Sequence, residues 1–422
     1  MTDVRMVALD ILLEYSGSKA FLSEIIKAAL DKYSYLEERD RAYIKNAVTG
    51  CVEKRIALDH VIDSVSNVKA SKMKKVIRLI IRMAAYEILH MDHIPPRASV
   101  NEAVRLAKKK HIAGLSGFVN AVTRKIAENF EKGAITFPDD RIRYSCPQII
   151  YDLLTEAYGP EKTLRIIKAS DEVSPQYIRV NTSKTDTDAL IGILKDEGTD
   201  IQKTPVSENA LKIFGLNPSK SPAFNEGLFS MQDLSGIAAM DAAGIHDDMT
   251  VIDLCAAPGG KACSAAEYLK GTGKVLAFDI SENKKKKIDE NITRLGLQNI
   301  ESRVKDALVF DEGLEGKADL VIADLPCSGL GVMGRKVDIK YRIDRQDIDD
   351  LADIQRRILE NAIRYVNKGG RLLFSTCTVT PQETTAQRDY IGSISGLSLL
   401  SERQFLQGID DCDGFYYAIF EN

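Results

Sequence analysis

Asp253-Leu254-Cys255-Ala256-Ala257-Pro258-Gly259-Gly260-Lys261 follows the apolar run 251–254 and opens a helical stretch over residues 261–269. A strand that turns through paired glycines into a helix lets the backbone approach a ligand, and the helix N-terminus favours a negative group. Asp279 closes the next apolar run, 275–278, at a distance along the chain where a carboxylate can accept from ribose hydroxyls. Lys261 is not followed by Ser or Thr, and no G-x-x-x-x-G precedes it, which excludes a triphosphate P-loop. Nor does the loop carry the G-x-G-x-x-G of a dinucleotide site. A lone Gly-Gly is often a plain tight turn. Here the strand before it and Asp279 after it point to a bound cofactor.

Outward from this loop, short apolar runs alternate with helical stretches. Residues 251–254, 275–278, 320–323 and 372–375 read as strands, and 261–269, 283–295 and 349–366 as helices. The run 415–420 reads as a final strand. Such alternation predicts a parallel sheet covered on both faces. Residues 3–130 differ: apolar positions recur at three and four along 4–13, 22–30, 43–52, 76–89 and 100–107, and Gly17-Ser18, residues 92–96 and residues 114–117 break them. An all-helical bundle is expected there. Gly133 and Phe137-Pro138-Asp139-Asp140 mark a boundary. Between 141 and 225, helices (148–158, 161–170, 186–197), a strand (177–180) and a Pro-rich tail (205–222) suggest a small α+β connector.

With 422 residues, 44% of them hydrophobic, the chain can bury two or three domains. No run of about 18 apolar residues suggests a membrane span. Asp3, Arg5, Asp10, Glu14, Lys19, Glu24 and Lys27 interrupt the first thirty residues in an amphipathic-helix pattern, not that of a signal peptide. The net charge of −4 hides an asymmetry: residues 1–130 hold 22 Lys+Arg against 15 Asp+Glu, the remainder 35 against 46. A basic first third suits a nucleic-acid surface, with Lys108, Lys109 and Lys110 as candidate contacts, and suits a solvated helical surface as well. The lysines at 284–287 read as a solvated helix face.

Seven cysteines (51, 146, 255, 263, 327, 377 and 412) contain no Cys-x-x-Cys pair, so neither a disulfide framework nor a zinc site is predicted, and reduced thiols in a cytoplasm are expected. Cys51, Cys263 and Cys412 read as buried structural residues. Asp324-Leu325-Pro326-Cys327-Ser328-Gly329 and Ser375-Thr376-Cys377-Thr378 instead end two predicted parallel strands, where open α/β sheets place their ligands. Paired thiols suit chemistry at carbon 5 of cytosine, itself a poor nucleophile. A thiolate adding to carbon 6 makes the ring an enamine that can take a methyl group. A free thiol, with a pKa of about 8.5, is only slightly ionised at neutral pH and must be activated. One cysteine can add while the other assists release, and Asp324 is placed to hydrogen-bond the ring nitrogen.

These residues resemble the RNA 5-methylcytosine methyltransferases, the NOL1/NOP2/Sun family, and within it the bacterial small-subunit rRNA branch. The resemblance implies that Cys377, in its Thr-Cys motif, is the nucleophile and that Cys327, in its Pro-Cys motif, assists product release. DNA cytosine methyltransferases attack with the Pro-Cys cysteine, so the presence of both motifs favours RNA. The resemblance also implies an S-adenosylmethionine site of Cys255, Ala256, Ala257, Pro258, Gly259, Gly260, Lys261, Asp279, Asp306 and Asp324. It extends to Gly331-Val332, Asp338-Ile339-Lys340, Gly369-Gly370 and Asp413-Gly414-Phe415, and upstream to Ile178-Arg179-Val180-Asn181-Thr182 and Gln232-Asp233. The helical third resembles the antitermination factor NusB through Ile94-Pro95, Asn101-Glu102-Ala103-Val104 and Phe118-Val119-Asn120.

The architecture implied is multidomain: an all-α NusB-like RNA-binding bundle (1–137), an α+β connector (138–227) and a Rossmann-like class I methyltransferase domain (228–422). Lys305, where the family has Gly, weakens the Asp306 assignment. Val337 and Tyr341 replace a Pro and a Trp on a loop expected to face RNA. The implied activity is methyl transfer from S-adenosylmethionine to carbon 5 of a cytosine in 16S rRNA, through a covalent cysteine–RNA intermediate. A cytoplasmic monomer is expected, with free rRNA or a partly assembled small subunit as partner and no metal or membrane. Transfer RNA is the alternative substrate. A catalytically inert NusB-type RNA-binding factor is the alternative class, against which the intact Asp324, Cys327 and Cys377 speak.

Overall fold

The computed structural model describes residues 2–422; Met1, the first residue of the expected helical domain, lies outside them. The chain forms two compact units. The first runs to Asp152 and also takes in Lys336–Arg342; the second comprises Leu153–Arg335 and Ile343–Asn422.

The first unit is helical: α1 (Val4–Tyr15), α2 (Leu22–Lys32), α3 (Glu38–Glu53), α4 (Arg55–Val65), α5 (Lys75–His90), α6 (Pro96–Lys109) and α7 (Ser116–Glu131). Asp3 caps α1 by accepting from the Met6 amide, and Pro96 opens α6, where its missing N–H costs nothing. Helix α5 is buried from Leu79 through Ile88, as befits the central member of a bundle. At Gly50 on α3 a Cβ would overlap the Tyr86 ring, so only glycine lets these two helices approach so closely. Glu87, buried on α5, accepts from Arg5, Tyr43 and Ser99 and so ties α1, α3 and α6 to the centre. Helices α4 and α7 were not separately legible from periodicity, and Gly117 lies inside α7 instead of breaking it.

One expectation is overturned here. The segment Lys336–Arg342 does not face RNA but belongs to the helical core. Val337 is buried in that core, and the Tyr341 hydroxyl donates to the carbonyls of Glu53 (2.8 Å) and Ser145 (3.0 Å). Asp338 accepts from the Leu22 amide at 3.0 Å. The replacements at 337 and 341 are packing choices, because both side chains fill space between helices.

The helical stretch Gln148–Ala169, which begins at the end of the first unit and continues into the second, breaks at Gly159, which has a φ of 77° and precedes Pro160. Four antiparallel strands follow, β1 (Gln176–Val180), β2 (Asp200–Lys203), β3 (Ala210–Phe214) and β4 (Phe229–Met231), in the order β2-β3-β1-β4. Leu190 and Leu194 of the helix Thr187–Asp196 share a core with this sheet. The seven-stranded sheet comprises β5 (Thr250–Asp253), β6 (Lys274–Asp279), β7 (Ile300–Val304), β8 (Ala318–Asp324), β9 (Val366–Thr376), β10 (Ser398–Phe405) and β11 (Phe415–Glu421), ordered β10-β11-β9-β8-β5-β6-β7. Apolar clusters cover its two faces.

The expectation of a parallel sheet holds from β9 to β7, but β11 runs antiparallel to both β9 and β10. Strands β7 and β10 went unread because, as sheet edges, they are largely exposed and carry no apolar run. Two strands likewise lie in or beside the Pro-rich tail. Strand order reverses between β6 and β8 around β5, and such switch points open a crevice at the strands' carboxyl ends.

Candidate active site

The cofactor loop leaves β5 at Asp253 and enters the helix Gly260–Tyr268 through Gly259, whose φ of 108° suits glycine alone. Asp279, at the end of β6, accepts from the Ala257 amide (2.9 Å) and the Ile280 amide (2.7 Å), and Lys284 pairs with it at 3.0 Å. It therefore braces the loop from behind. From the other side Arg179, fully buried on β1, forms a bidentate pair with Glu267 and donates to the Gly260 carbonyl at 3.2 Å. The upstream motif residues thus converge on the loop.

Asp324 ends β8. Lys261 donates to one of its oxygens at 2.7 Å and Ser375 to the other at 2.9 Å. The two thiols follow β8 and β9, and the Cys327 Sγ lies 3.3 Å from the Cys377 Sγ. Contact with Cys377 and burial hold the Cys327 thiol well above its ordinary pKa, with Glu383 adding to the effect. Either sulfur can act as donor across this contact.

A cavity of about 250 Å³ joins these groups. Cys255, Ala256, Ala257, Pro258, Gly260, Lys261, Asp324 and Cys377 line it, whereas Gly259, Asp279, Asp306 and Cys327 do not. Gly259 faces Cys263 and Ile288, and Asp306, beyond β7, accepts from the Leu308 amide at 2.9 Å. Three other groups of the lining, Asp253, Asp233 and Asp413, stood in the quoted motifs without a site role; Asp413 is raised in pKa by burial beside Asp233. It also missed that Gly329-Leu330-Gly331-Val332-Met333-Gly334 has dinucleotide-loop spacing. That spacing serves packing: a Cβ on Gly331 would overlap Gly414, and the Gly331 amide donates to the Cys377 carbonyl at 3.1 Å.

Behind both thiols sits Glu383, completely buried. One oxygen accepts from the Ser328 amide (2.7 Å), the other from the hydroxyls of Ser328 (2.5 Å), Thr380 (2.6 Å) and Thr378 (3.3 Å). Ser328 and Thr378 follow the two cysteines and contact each other at 2.7 Å. Gln355 adds a donor to Glu383 at 3.4 Å and another to the Pro326 carbonyl at 2.9 Å. Each of these bonds is part of one network joining the two cysteine loops.

Asp253 is buried, and neither carboxylate oxygen meets a donor in hydrogen-bond geometry. Burial and the nearby Asp324 push its pKa up to about 8, against the opposing pull of Lys261 and the Cys255 amide. The folded protein then holds one proton more than the unfolded chain between about pH 4 and pH 8, so stability from this site falls as pH rises through that window. The slope is at most about 1.4 kcal/mol per pH unit. Asp253→Asn should flatten the pH dependence of urea unfolding between pH 5 and 8. A slope equal to wild type would mean that Asp253 is ionised in the folded protein.

The cavity fits S-adenosylmethionine. Its unsatisfied Asp253 carboxyl, beside Asp324 and Asp233, suits a ligand bearing a sulfonium and an ammonium group. A Cβ at Gly260 would meet nothing within 4 Å, which leaves room against the backbone. Among the described residues no cluster of three His, Cys, Asp or Glu side chains is arranged to hold a metal, and no helix is long and apolar enough to cross a membrane.

Residues 242–421 match the family described as 16S rRNA methyltransferase RsmB/F, residues 2–128 the NusB family, and residues 146–217 the ferredoxin-like domain of RsmF/B-like methyltransferases. The probable ribosomal RNA small subunit methyltransferase B of Bacillus subtilis is 33% identical over 390 residues, covering 90% of this chain and 86% of its own. The ribosomal RNA small subunit methyltransferase B of Vibrio vulnificus is 28% identical over 427 residues and 99% of both chains. Among solved structures, PH0851 superposes over 100% of this chain and 99% of its own with a TM-score of 0.81 at 23% identity. NSun6 from Pyrococcus horikoshii, solved with SFG, covers 65% of this chain and 98% of its own at 0.61 and 23%. The helical bundle, the small connector sheet and the α/β domain thus match one arrangement along the whole chain, and the protein belongs to the ribosomal RNA small subunit methyltransferase B family, whose methyl donor is S-adenosylmethionine.

Proposed function

We propose that this methyltransferase modifies carbon 5 of a cytosine in 16S rRNA and that Cys377 links covalently to the base. The observation that carries the reading is the thiol pair, 3.3 Å apart beside the Asp324–Lys261 pair. The Cys377 thiolate adds to carbon 6: an Sγ–C6 bond forms, and the C5=C6 electron pair moves toward the ring nitrogen and carbon 5. Asp324, fixed by Lys261 and Ser375, is placed to hydrogen-bond the ring nitrogen as charge develops there. Residues Cys255 to Lys261 would hold S-adenosylmethionine, with Asp279 and Asp306 serving its nucleoside, and the bound group would supply an electrophilic methyl for carbon 5. A solvent water then takes the carbon 5 proton, its bonding pair restores the double bond, and the Sγ–C6 pair returns to Cys377.

Cys327 assists this release. Its sulfur lies 3.3 Å from that of Cys377, within reach to pass a proton to the departing Cys377 sulfur. Glu383 acts as a positioning residue, since it touches neither substrate nor cofactor but sets both cysteine loops.

Bisulfite sequencing tests the reading. Small-subunit rRNA from a strain lacking this gene should lose protection at one cytosine and regain it when the gene returns. Protection lost only in transfer RNA, or a methyl group found elsewhere on the base, would refute it.

A further inference from the structure

We infer that the helical unit carries a second binding site, a cavity of about 420 Å³ that receives a phosphate group of the RNA backbone. The inference rests on the reading of an RNA substrate. The cavity lies where the end of α1, the α3–α4 junction and the start of α5 meet, and Arg55, Lys75, Arg78, Arg82 and a single carboxylate, Asp59, line it. Arg82 takes that carboxylate with both nitrogens, at 2.6 and 2.5 Å, which leaves three cations without an acidic partner.

The three are placed but not neutralised. Arg55 lies over the Tyr341 ring at 3.9 Å, Lys75 reaches the Ser16 carbonyl at 3.4 Å, and Arg78 reaches the Ala70 carbonyl at 3.4 Å. The Arg78 Nε is shut off from solvent and meets no partner among the described residues. Burial, then Arg82 and Arg55, lower the pKa of Arg78 against the opposing pull of Asp59, as expected of a cation in a net positive field. A phosphate oxygen satisfies that nitrogen and relieves the repulsion, and a guanidinium matches it with two parallel donors. Leu12, Cys51, Val52 and Leu79 give the cavity apolar walls, which strengthen the attraction.

The basic run first suspected fits the role less well. Lys109 pairs with Asp3 at 2.8 Å and Lys110 with Asp10, so two of its three charges are already met. That arrangement shifts the expected RNA grip from the end of α6 to the start of α5.

Arg78→Ala in the full-length protein provides the test, read by melting temperature with and without inorganic phosphate and by RNA affinity across a salt series. The variant should melt no lower than wild type at low salt, because a repelling charge is gone, and should lose the stabilisation that phosphate gives the wild type. RNA binding should weaken about tenfold, and the slope of log affinity against log salt should fall by about 1. Arg78→Lys should restore the slope while binding more weakly than wild type, and it carries the test if the alanine variant does not fold. Unchanged RNA affinity in either variant would overturn the site, even with the phosphate response gone. Weaker binding at an unchanged salt slope would overturn it too, by marking a packing defect. These outcomes do not depend on which base is methylated: if the 16S reading fails, the bisulfite signal is missing while the phosphate response persists.

Discussion

Cys377→Ala is expected to bind S-adenosylmethionine and RNA normally and to turn over at least about 10⁴-fold more slowly, the scale on which covalent nucleophiles fail when removed. Apart from Cys327, no thiol near the site can replace it. The other cysteines besides Cys327 and Cys255 are buried, and burial holds the Cys255 thiol far above its usual range. Cys327→Ala should behave differently, because it leaves the attacking sulfur in place and removes the assisting thiol 3.3 Å away. Its RNA should be methylated once and then stay attached through Cys377, as a retarded band under denaturing conditions. Strand position alone does not separate the two, since both thiols stand at one edge of the sheet. The separation rests on motif roles. An adduct formed by Cys377→Ala but not by Cys327→Ala would reverse the roles, and full activity in both variants would end thiol catalysis as an explanation.

Glu383 should prove nearly as costly to lose, although it touches no substrate. Glu383→Ala strands the Ser328 amide and three hydroxyls in a dry interior, where each unmet polar group costs about 1–3 kcal/mol. A loss of about 3–5 kcal/mol of stability is expected, enough to threaten folding. Glu383→Gln is the informative variant. Its carbonyl can keep the fixed Ser328 amide, and its NH₂ can donate to hydroxyls that rotate to accept, so the fold should survive. One oxygen no longer accepts from both cysteine loops, so the spacing of the thiols should loosen. The melting temperature should fall modestly and cofactor affinity should hold. Turnover should drop about 100-fold, the scale of a misplacement near 1 Å. Glu383→Gln with wild-type turnover would show the network to be structural only.

The catalytic strings were legible because each is a run of consecutive residues at a strand end. Asp253 to Lys261, Asp324 to Cys327 and Thr376-Cys377 carry their meaning in local order, and the sheet then brings them together. Glu383 had no such signal. Its role depends on residues 328, 355, 378 and 380, and in one dimension it is one more acid near a helix start. Asp253 read as the last residue of a strand, and only its burial without a partner marks it as part of the cavity. The lysines at 108–110 show the reverse failure: a charge run is visible in sequence, but Asp3 and Asp10, which answer it, lie about a hundred residues away. Edge strands β7 and β10 escaped because periodicity registers burial, and edges are barely buried.

The heptapeptide Lys336–Arg342 has a consequence for how such a protein is inherited and engineered. The helical bundle is completed by residues encoded far downstream, between β8 and the helix Arg345–Tyr365, with Val337 as part of its filling and Tyr341 bonded to two of its carbonyls. A gene fragment ending near Asp152 would therefore encode a bundle with an unfilled gap, and one starting there would encode a heptapeptide whose Val337, Ile339 and Tyr341 have nowhere to pack. A chimera that exchanges the N-terminal third between relatives must exchange this distant heptapeptide with it. The two regions are thus constrained to change as a pair, so that a substitution lining one calls for compensation in the other.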